Sequence, residues 1–283
     1  MRTFVALALI CLAVSSKIIN KAYVSQLKKT ASFQVYDVEE NPFRDWTDEE
    51  IRAMLAAQVP ESEDVVVNHS NDEYDFRKEY PDCMLRVRDQ GKCGACWAFS
   101  GVTALQQRFC MHTGASINYE LSPMDVIACD GNQKKCNAGA HIVTWMYLLQ
   151  TGVVTEDCFP YTSQTGEMEK CVVQCKDGSE WKVHKVEEYI YPADTDEIKA
   201  MIPEYGPMWN DFALYEDFIN YKSGIYEHTT GQQMGRHGAT ILGYGTEGDV
   251  NYWICQNDFG ESWGESGFFR IKFGEIDIDK DVT

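Results

Sequence analysis

The sequence is short of positive charge and has few long apolar runs. Lys and Arg number 25 against 44 Asp and Glu, which gives a formal net charge of −19. Such a surface repels phosphate backbones and anionic lipid, so we expect no nucleic-acid partner. After residue 16, no stretch approaches the roughly 20 apolar residues of a membrane helix, so we expect no membrane span. Low-complexity and collagen-like repeats are also missing, and 44% hydrophobic residues are typical of a globular protein.

Cysteine is absent from residues 17–71, whereas residues 83–175 hold nine of the 11 cysteines. This abundance is high for a cytosolic protein and indicates an oxidising compartment with disulfides. The change in cysteine density near residue 75 divides the chain into a short first part and a disulfide-rich second part.

The N-terminus has the pattern of a secretory signal peptide. Arg2 precedes an apolar run over residues 3–14, and Ala13, Ser15 and Ser16 are small residues suited to cleavage. We predict a signal peptide over residues 1–16; a buried N-terminal helix is the alternative. The protein is then expected in the secretory pathway, in lysosome-like or vacuolar vesicles or outside the cell.

Residues 17–72 have the features of a removable prosegment. The capping box from Thr47 to Glu50 predicts a helix through Ala57. Pro60 and an acidic run over 61–64 predict an exposed connector, and the sequon at 68–70 also indicates surface. The second part, residues 73–283, is predicted to be the functional domain. The alternative is an N-terminal extension that stays attached.

The stretch Gln90-Gly-Lys-Cys-Gly-Ala-Cys-Trp-Ala-Phe-Ser100 is the most informative. Glycines at 91 and 94 break regular structure before Cys96, and apolar residues then recur with helical spacing until Gly114. Cys96 is therefore predicted at a helix N-terminus, where the dipole favours the nucleophilic thiolate.

A nucleophilic thiol requires a base and a group that orients it. Of the six histidines, only His237 begins an apolar, strand-like run, over 239–244. A second strand-like run over 251–256 follows a turn and ends at Asn257. A hairpin of these strands would bring His237 and Asn257 together.

The segment 90–100 resembles the active-site signature of papain-like cysteine proteases. His237 and Asn257 match the catalytic histidine and asparagine of that family, and residues 263–270 resemble the family segment that follows. Residues 75–81, 221–228 and 230–234 are similar to cathepsin B-like members. The resemblance covers about residues 75–283.

This resemblance implies an α+β fold of two subdomains, a helical half around Cys96 and a β-rich, barrel-like half carrying His237 and Asn257, with the active site in the cleft. It implies Cys96 as nucleophile, His237 as its acid–base partner, Asn257 as the residue orienting the imidazole, and Gln90 with the Cys96 N–H as the oxyanion hole. Implied substrate-binding positions are Gly139, Ala138, Asp211, Gly238, Asp279 and Trp263.

Several positions depart from the family. Asn257-Asp-Phe259 replaces Asn-Ser-Trp, and we expect the phenylalanine to shield the His–Asn contact. Arg236 replaces a small residue and is expected to lower the His237 pKa if the guanidinium points inward. Ala138 replaces glycine and is expected to narrow the cleft. Asp211 and Asp279 either form an acidic pocket for Arg or Lys of the substrate or belong to the acidic surface.

The resemblance also implies the disulfides. After removal of Cys11 with the signal, Cys96 is the nucleophile and Cys255, within a strand, is read as a buried thiol. The implied pairs are Cys83–Cys110, Cys93–Cys136, Cys129–Cys171 and Cys158–Cys175.

The predicted function is a cysteine endopeptidase made as a zymogen. Internal cleavage is predicted because residues 157–171 lack the histidines of the cathepsin B occluding loop. Expected partners are protein and peptide substrates, the prosegment as inhibitor, and cystatin-type inhibitors; a monomer without metal or cofactor is expected. Alternatives are a catalytically silent binding protein and a transglutaminase-like acyl transferase. Two further alternatives are a thiol–disulfide oxidoreductase, because residues 93–96 have the C-x-x-C pattern, and metal binding by the cysteine cluster.

Overall fold

The computed structural model of the chain describes residues 18–55, 57–58 and 73–283. The predicted signal peptide, Cys11 and the sequon at 68–70 lie outside these residues. Within them, the helices are α1 (Lys21–Thr30), α2 (Asp48–Ala53), α3 (Phe76–Glu79), α4 (Cys96–His112), α5 (Pro123–Cys129), α6 (His141–Gln150) and α7 (Thr195–Tyr205). None of these helices is long and apolar enough to cross a membrane.

The strands form one large sheet and two small ones. They are β1 (Gln34–Val35), β2 (Ala57–Gln58), β3 (Tyr74–Asp75), β4 (Gly139–Ala140), β5 (Met208–Tyr215), β6 (Tyr221–Ser223), β7 (Ile225–Tyr226), β8 (Gln233–Glu247), β9 (Val250–Gln256), β10 (Phe268–Lys272) and β11 (Asp281–Val282). The large sheet has the order β11-β5-β8-β9-β10-β7, and β3 pairs with β8. Strand β1 pairs with β6, and β2 pairs with β4.

Two hydrophobic cores divide the molecule into halves. The helical half is built around α4, α5 and α6, and its core includes Trp97, Trp145 and Phe159. The sheet half is built on β5, β8, β9 and β10, and its core includes Phe212 and Trp253. This arrangement is the predicted α+β architecture of two subdomains.

Helix α4 begins at Cys96 and is the centre of the helical half. Most of its side chains are buried, and it packs along β8 of the sheet half. Its N-terminus follows the turn at Gly91, whose φ of 59° suits glycine. The helix ends just before Gly114, so the predicted helix from Cys96 is confirmed.

Residues 18–55 and 57–58 form an N-terminal segment that docks on the sheet half. The capping box is present, because Thr47 Oγ1 accepts from the Glu50 N–H and Glu50 accepts from the Thr47 N–H. The predicted end of this helix was wrong: α2 ends at Ala53, not Ala57. Ala57 and Gln58 instead form strand β2, whose backbone pairs with β4.

Four disulfides among the described residues link the cysteines that the resemblance pairs, and they all lie in the helical half. Their positions are Cys83–Cys110, Cys93–Cys136, Cys129–Cys171 and Cys158–Cys175. Cys96 and Cys255 are outside these bridges, and both are buried. Cys255 lies within β9, as the sequence predicted.

Candidate active site

Cys96 lies at the junction of the two halves. It is the first residue of α4, where backbone N–H groups and the helix dipole favour a negative charge. A Cβ at Gly238 would lie 3.3 Å from the carbonyl oxygen of Cys96. Because Gly238 directly follows His237 in β8, the thiol-bearing and imidazole-bearing residues come from facing positions of the two halves.

His237 and Asn257 lie on adjacent strands and are in contact. Strands β8 and β9 form the predicted hairpin, and His237 Nε2 is 2.7 Å from Asn257 Oδ1. The other ring nitrogen, Nδ1, is buried and has no hydrogen-bonding partner within the described residues. Burial lowers the His237 pKa to about 4, although the Asn257 contact opposes this shift. The imidazole is therefore neutral in this state of the chain.

Phe259 covers the His237–Asn257 contact. Its ring centroid is 4.6 Å from that of His237, and its side chain is buried. Phe43 of the N-terminal segment packs edge-on against Phe259 at 5.2 Å. The Phe259 ring thus covers the His237–Asn257 contact, as the sequence predicted.

The side-chain amide of Gln90 is held close to the start of α4. Its Nε2 donates to the carbonyl of Cys93 at 2.8 Å and to that of Met54 at 2.7 Å. The Gln90 N–H donates to the Asp258 carbonyl, and Tyr161 Oη donates to the Gln90 carbonyl. These backbone contacts fix the loop, and the amide holds a carbonyl oxygen of the N-terminal segment.

The N-terminal segment follows the groove between the halves. Residues Ala57 and Gln58 pair in parallel with Gly139 and Ala140. Leu55 is buried against β8, since a Cβ at Gly235 would lie 3.2 Å from the Leu55 Cβ. Both sides of the groove are therefore contacted by this segment, and His237 is fully buried.

Arg236 points away from His237, so the expected effect of its charge on His237 does not occur. Its guanidinium forms an ion pair with Asp211, and it lies 2.9 Å from Asp281 and 3.9 Å from Asp277. Burial raises the pKa of Asp211 to about 7, although Arg236 opposes the shift. Lowering of the His237 pKa comes from burial instead.

The predicted substrate-binding residues are spread over two regions. Gly139 lies against the Trp97 indole, where an added Cβ would overlap the ring, and Ala138 beside it is partly exposed. Asp211 is opposite Gly238 in the β5–β8 pairing. Asp279 instead accepts a hydrogen bond from the Gly274 N–H at 2.8 Å.

Trp263 is fully buried in the core of the sheet half, with its ring 5.4 Å from Phe259. The sequence analysis missed Asp281, which pairs with Asp211 across β11 and β5. It also missed Met54, whose role depends on a backbone carbonyl and leaves no pattern in the sequence.

A family sequence model described as papain family cysteine protease matches residues 70–283. The chain belongs to this papain family. It is 39% identical over 213 residues to cathepsin B-like CP3 of Giardia intestinalis, covering 73% of this chain and 71% of that protein. It is 33% identical over 247 residues to cathepsin B of Dictyostelium discoideum, covering 81% and 75%. The predicted family and its cathepsin B-like character are confirmed.

Solved structures of this papain-like fold also match the chain. Procathepsin B S9 from Trypanosoma congolense has a TM-score of 0.86 at 20% identity, covering 94% of this chain and 98% of that one. Digestive procathepsin L 3 of Tenebrio molitor has a TM-score of 0.75 at 22% identity, covering 92% and 86%. The papain-like fold predicted from the sequence is therefore confirmed.

Proposed function

We propose that this papain-family chain is the zymogen of a cathepsin B-like cysteine endopeptidase. The proposed parts are a signal peptide over 1–16, an inhibitory prosegment over 17–72 and a peptidase domain over 73–283. The observation that carries the proposal is the hydrogen bond from Gln90 Nε2 to the Met54 carbonyl. A backbone carbonyl of the chain itself is held by the Gln90 amide, which also donates to the Cys93 carbonyl, as an oxyanion hole holds the carbonyl of a substrate.

In the proposed mechanism, Cys96 attacks the scissile carbonyl after its proton has moved to His237. The amide of Gln90 and the N–H of Cys96 stabilise the oxyanion. His237 then protonates the leaving amine, and water hydrolyses the acyl-enzyme. Asn257, at 2.7 Å from Nε2, orients the ring so that Nδ1 is available for the thiol proton.

Inhibition by the prosegment is supported by its path along the groove. Backbone pairing of Ala57 and Gln58 with β4 uses the strand edge at which an extended peptide would bind. His237 is fully buried while the segment is docked, and this burial keeps the imidazole neutral. Removing the segment is expected to open the groove and to allow the thiolate–imidazolium pair.

Endopeptidase activity is proposed because residues 157–171 hold no histidine that could bind a substrate C-terminus. This region instead contacts the loop that carries Gln90. Tyr161 donates to the Gln90 carbonyl, and the Lys92 N–H donates to the Gln164 carbonyl. The proposed enzyme is a monomer of the secretory pathway, in lysosome-like or vacuolar vesicles or outside the cell, and cystatin-type inhibitors are expected to bind its groove.

The experiment is active-site titration of the refolded, processed protein with an epoxide inhibitor, using wild type and Cys96→Ala in parallel. Stoichiometric labelling of wild type alone, with internal cleavage of a protein substrate, is expected. An unreactive wild-type thiol would favour the catalytically silent binding protein. Release of mainly C-terminal dipeptides would contradict endopeptidase activity.

A further inference from the structure

The carboxyl group of Asp258 is a second polar group close to the ring of His237. Its Oδ1 lies 3.3 Å from His237 Nε2, the ring nitrogen that also faces Asn257. The Asp258 side chain is 8% exposed, and neither of its carboxyl oxygens has a hydrogen-bonding partner within the described residues. Because buried polar groups are normally partnered, this carboxyl group is unlike an ordinary core residue.

The backbone of Asp258 holds the carboxyl group at a fixed position. Its N–H donates to Asn257 Oδ1 at 2.9 Å, and its carbonyl accepts from the Gln90 N–H at 2.9 Å. Asp258 is therefore tied to the residue that orients the imidazole and to the residue of the proposed oxyanion hole. A group held in this way is pre-organised to interact with Nε2.

Four titratable or charged groups surround the Asp258 carboxyl: His237, Asp89, Arg88 and Tyr161. Burial raises the Asp258 pKa well above its ordinary range, Asp89 adds to that effect, and Arg88 opposes it. With the N-terminal segment docked, burial also keeps the imidazole neutral. The neutral pair avoids two buried charges in the zymogen.

We propose that Asp258 is a positioning residue that stabilises the imidazolium form of His237 in the processed enzyme. This inference rests on the proposed peptidase activity. When the ion pair forms, the thiol proton of Cys96 moves to Nδ1 and the Nε2 proton stays in place. Nε2 then faces the amide oxygen of Asn257 and the carboxylate of Asp258, whose own proton has gone to solvent.

The first test is the pH profile of kcat/KM for Asp258→Asn, Asp258→Ser and the control Glu261→Gln. An adjacent carboxylate raises the pKa of an imidazolium. In both Asp258 variants, the pH at which kcat/KM falls on the alkaline side should therefore be lower by about one unit. KM at acidic pH should stay as in wild type. Glu261 is exposed in the following turn, so its variant removes an equal charge and should leave the limb in place. Profiles of folded Asp258 variants that overlay wild type would overturn the proposal.

The second test needs neither peptidase activity nor a folded Asp258 variant. The Cys96→Ala protein is processed with an added protease, and the His237 ring is titrated by NMR. We expect a pKa above the ordinary histidine value of about 6.5. A value at or below 6.5 would contradict the role of Asp258. Failure of the proposed function appears separately, as a wild-type thiol that does not react with the epoxide.

Discussion

Gly139 packs directly on the indole of Trp97. A Cβ at position 139 would overlap the Trp97 ring, which is fully buried and is held by hydrogen bonds from Nε1 to the carbonyls of Gly94 and Lys135. The ring therefore has no room to move. Strand β4 owes its position in the groove to the absence of a side chain at this residue.

Gly139→Ala should weaken peptide binding, because the backbone of β4 must move away from Trp97. Losing one or two strand hydrogen bonds, at about 1 kcal/mol each, predicts a KM for peptide substrates roughly tenfold higher. Gly131→Ala is the matched control, because a Cβ at that position would meet no atom within 4 Å, and its KM should stay near wild type. Equal KM values for Gly139→Ala and wild type would contradict the prediction.

Gln90→Ala should reduce catalysis without changing the fold. Removal of one oxyanion donor typically lowers kcat by about 10²–10³. The same variant loses the 2.7 Å hydrogen bond to Met54, so its zymogen should also process faster at a given pH. Both rates are measured on refolded protein, kcat with a peptide substrate and processing with an added protease. A normal kcat would show that the amide does not stabilise the transition state.

Alkylation of Cys96 should be slow in the unprocessed chain. The His237 pKa is lowered by burial from 6.5 to about 4, so between pH 4 and 6.5 the imidazole of the unprocessed chain is neutral where an exposed one would be charged. A shift of this size predicts at least about 100-fold slower reaction with iodoacetamide at pH 6 than in processed enzyme. Cys255 is an internal control, since burial raises the pKa of its thiol and it should stay unlabelled. Equal rates before and after processing would contradict this prediction.

Asp125→Asn should change how stability depends on pH. The Asp125 side chain accepts from the Val154 N–H and from Tyr147 Oη, and burial raises its pKa to about 6. The folded carboxyl keeps its proton to about pH 6, whereas the unfolded one ionises near pH 4. As the pH rises from about 4 to about 6, the free energy of unfolding of wild type therefore falls by about 3 kcal/mol relative to that of the variant. It does not fall further above pH 6.

Urea unfolding of wild type and Asp125→Asn over a pH series measures this difference. Asp157→Asn, a change at an exposed position, controls for the loss of one charge. A free-energy difference between Asp125→Asn and wild type that is constant from pH 4 to 6.5 would show that the carboxyl group titrates normally.

Local patterns were sufficient to predict the elements that carry the site. The glycines before Cys96 and the helical spacing after it predicted the start of α4, and two apolar, strand-like runs separated by a turn predicted the hairpin of β8 and β9. These features depend on residues close in sequence. For that reason His237 and Asn257 could be brought together without knowledge of the rest of the fold.

Features that depend on distant contacts could not be predicted. Helix α2 ends early because the following backbone contacts Gln90 and β4, and no residue in the helix itself signals this. The direction of the Arg236 side chain depends on the pairing of β5 with β8 and β11, which places Asp211 and Asp281 beside it. Asp258 stood out in the sequence only as a departure from the family motif.

The four disulfides have a consequence for handling the protein in thiol-containing buffers. Both cysteines are buried in Cys83–Cys110 and in Cys158–Cys175, whereas Cys171 is exposed. A mild reductant can therefore keep the nucleophile reduced while these two bridges stay shielded, and we expect Cys129–Cys171 to open first. We expect such damage to begin in the helical half, because the sheet half has no cystine among its described residues.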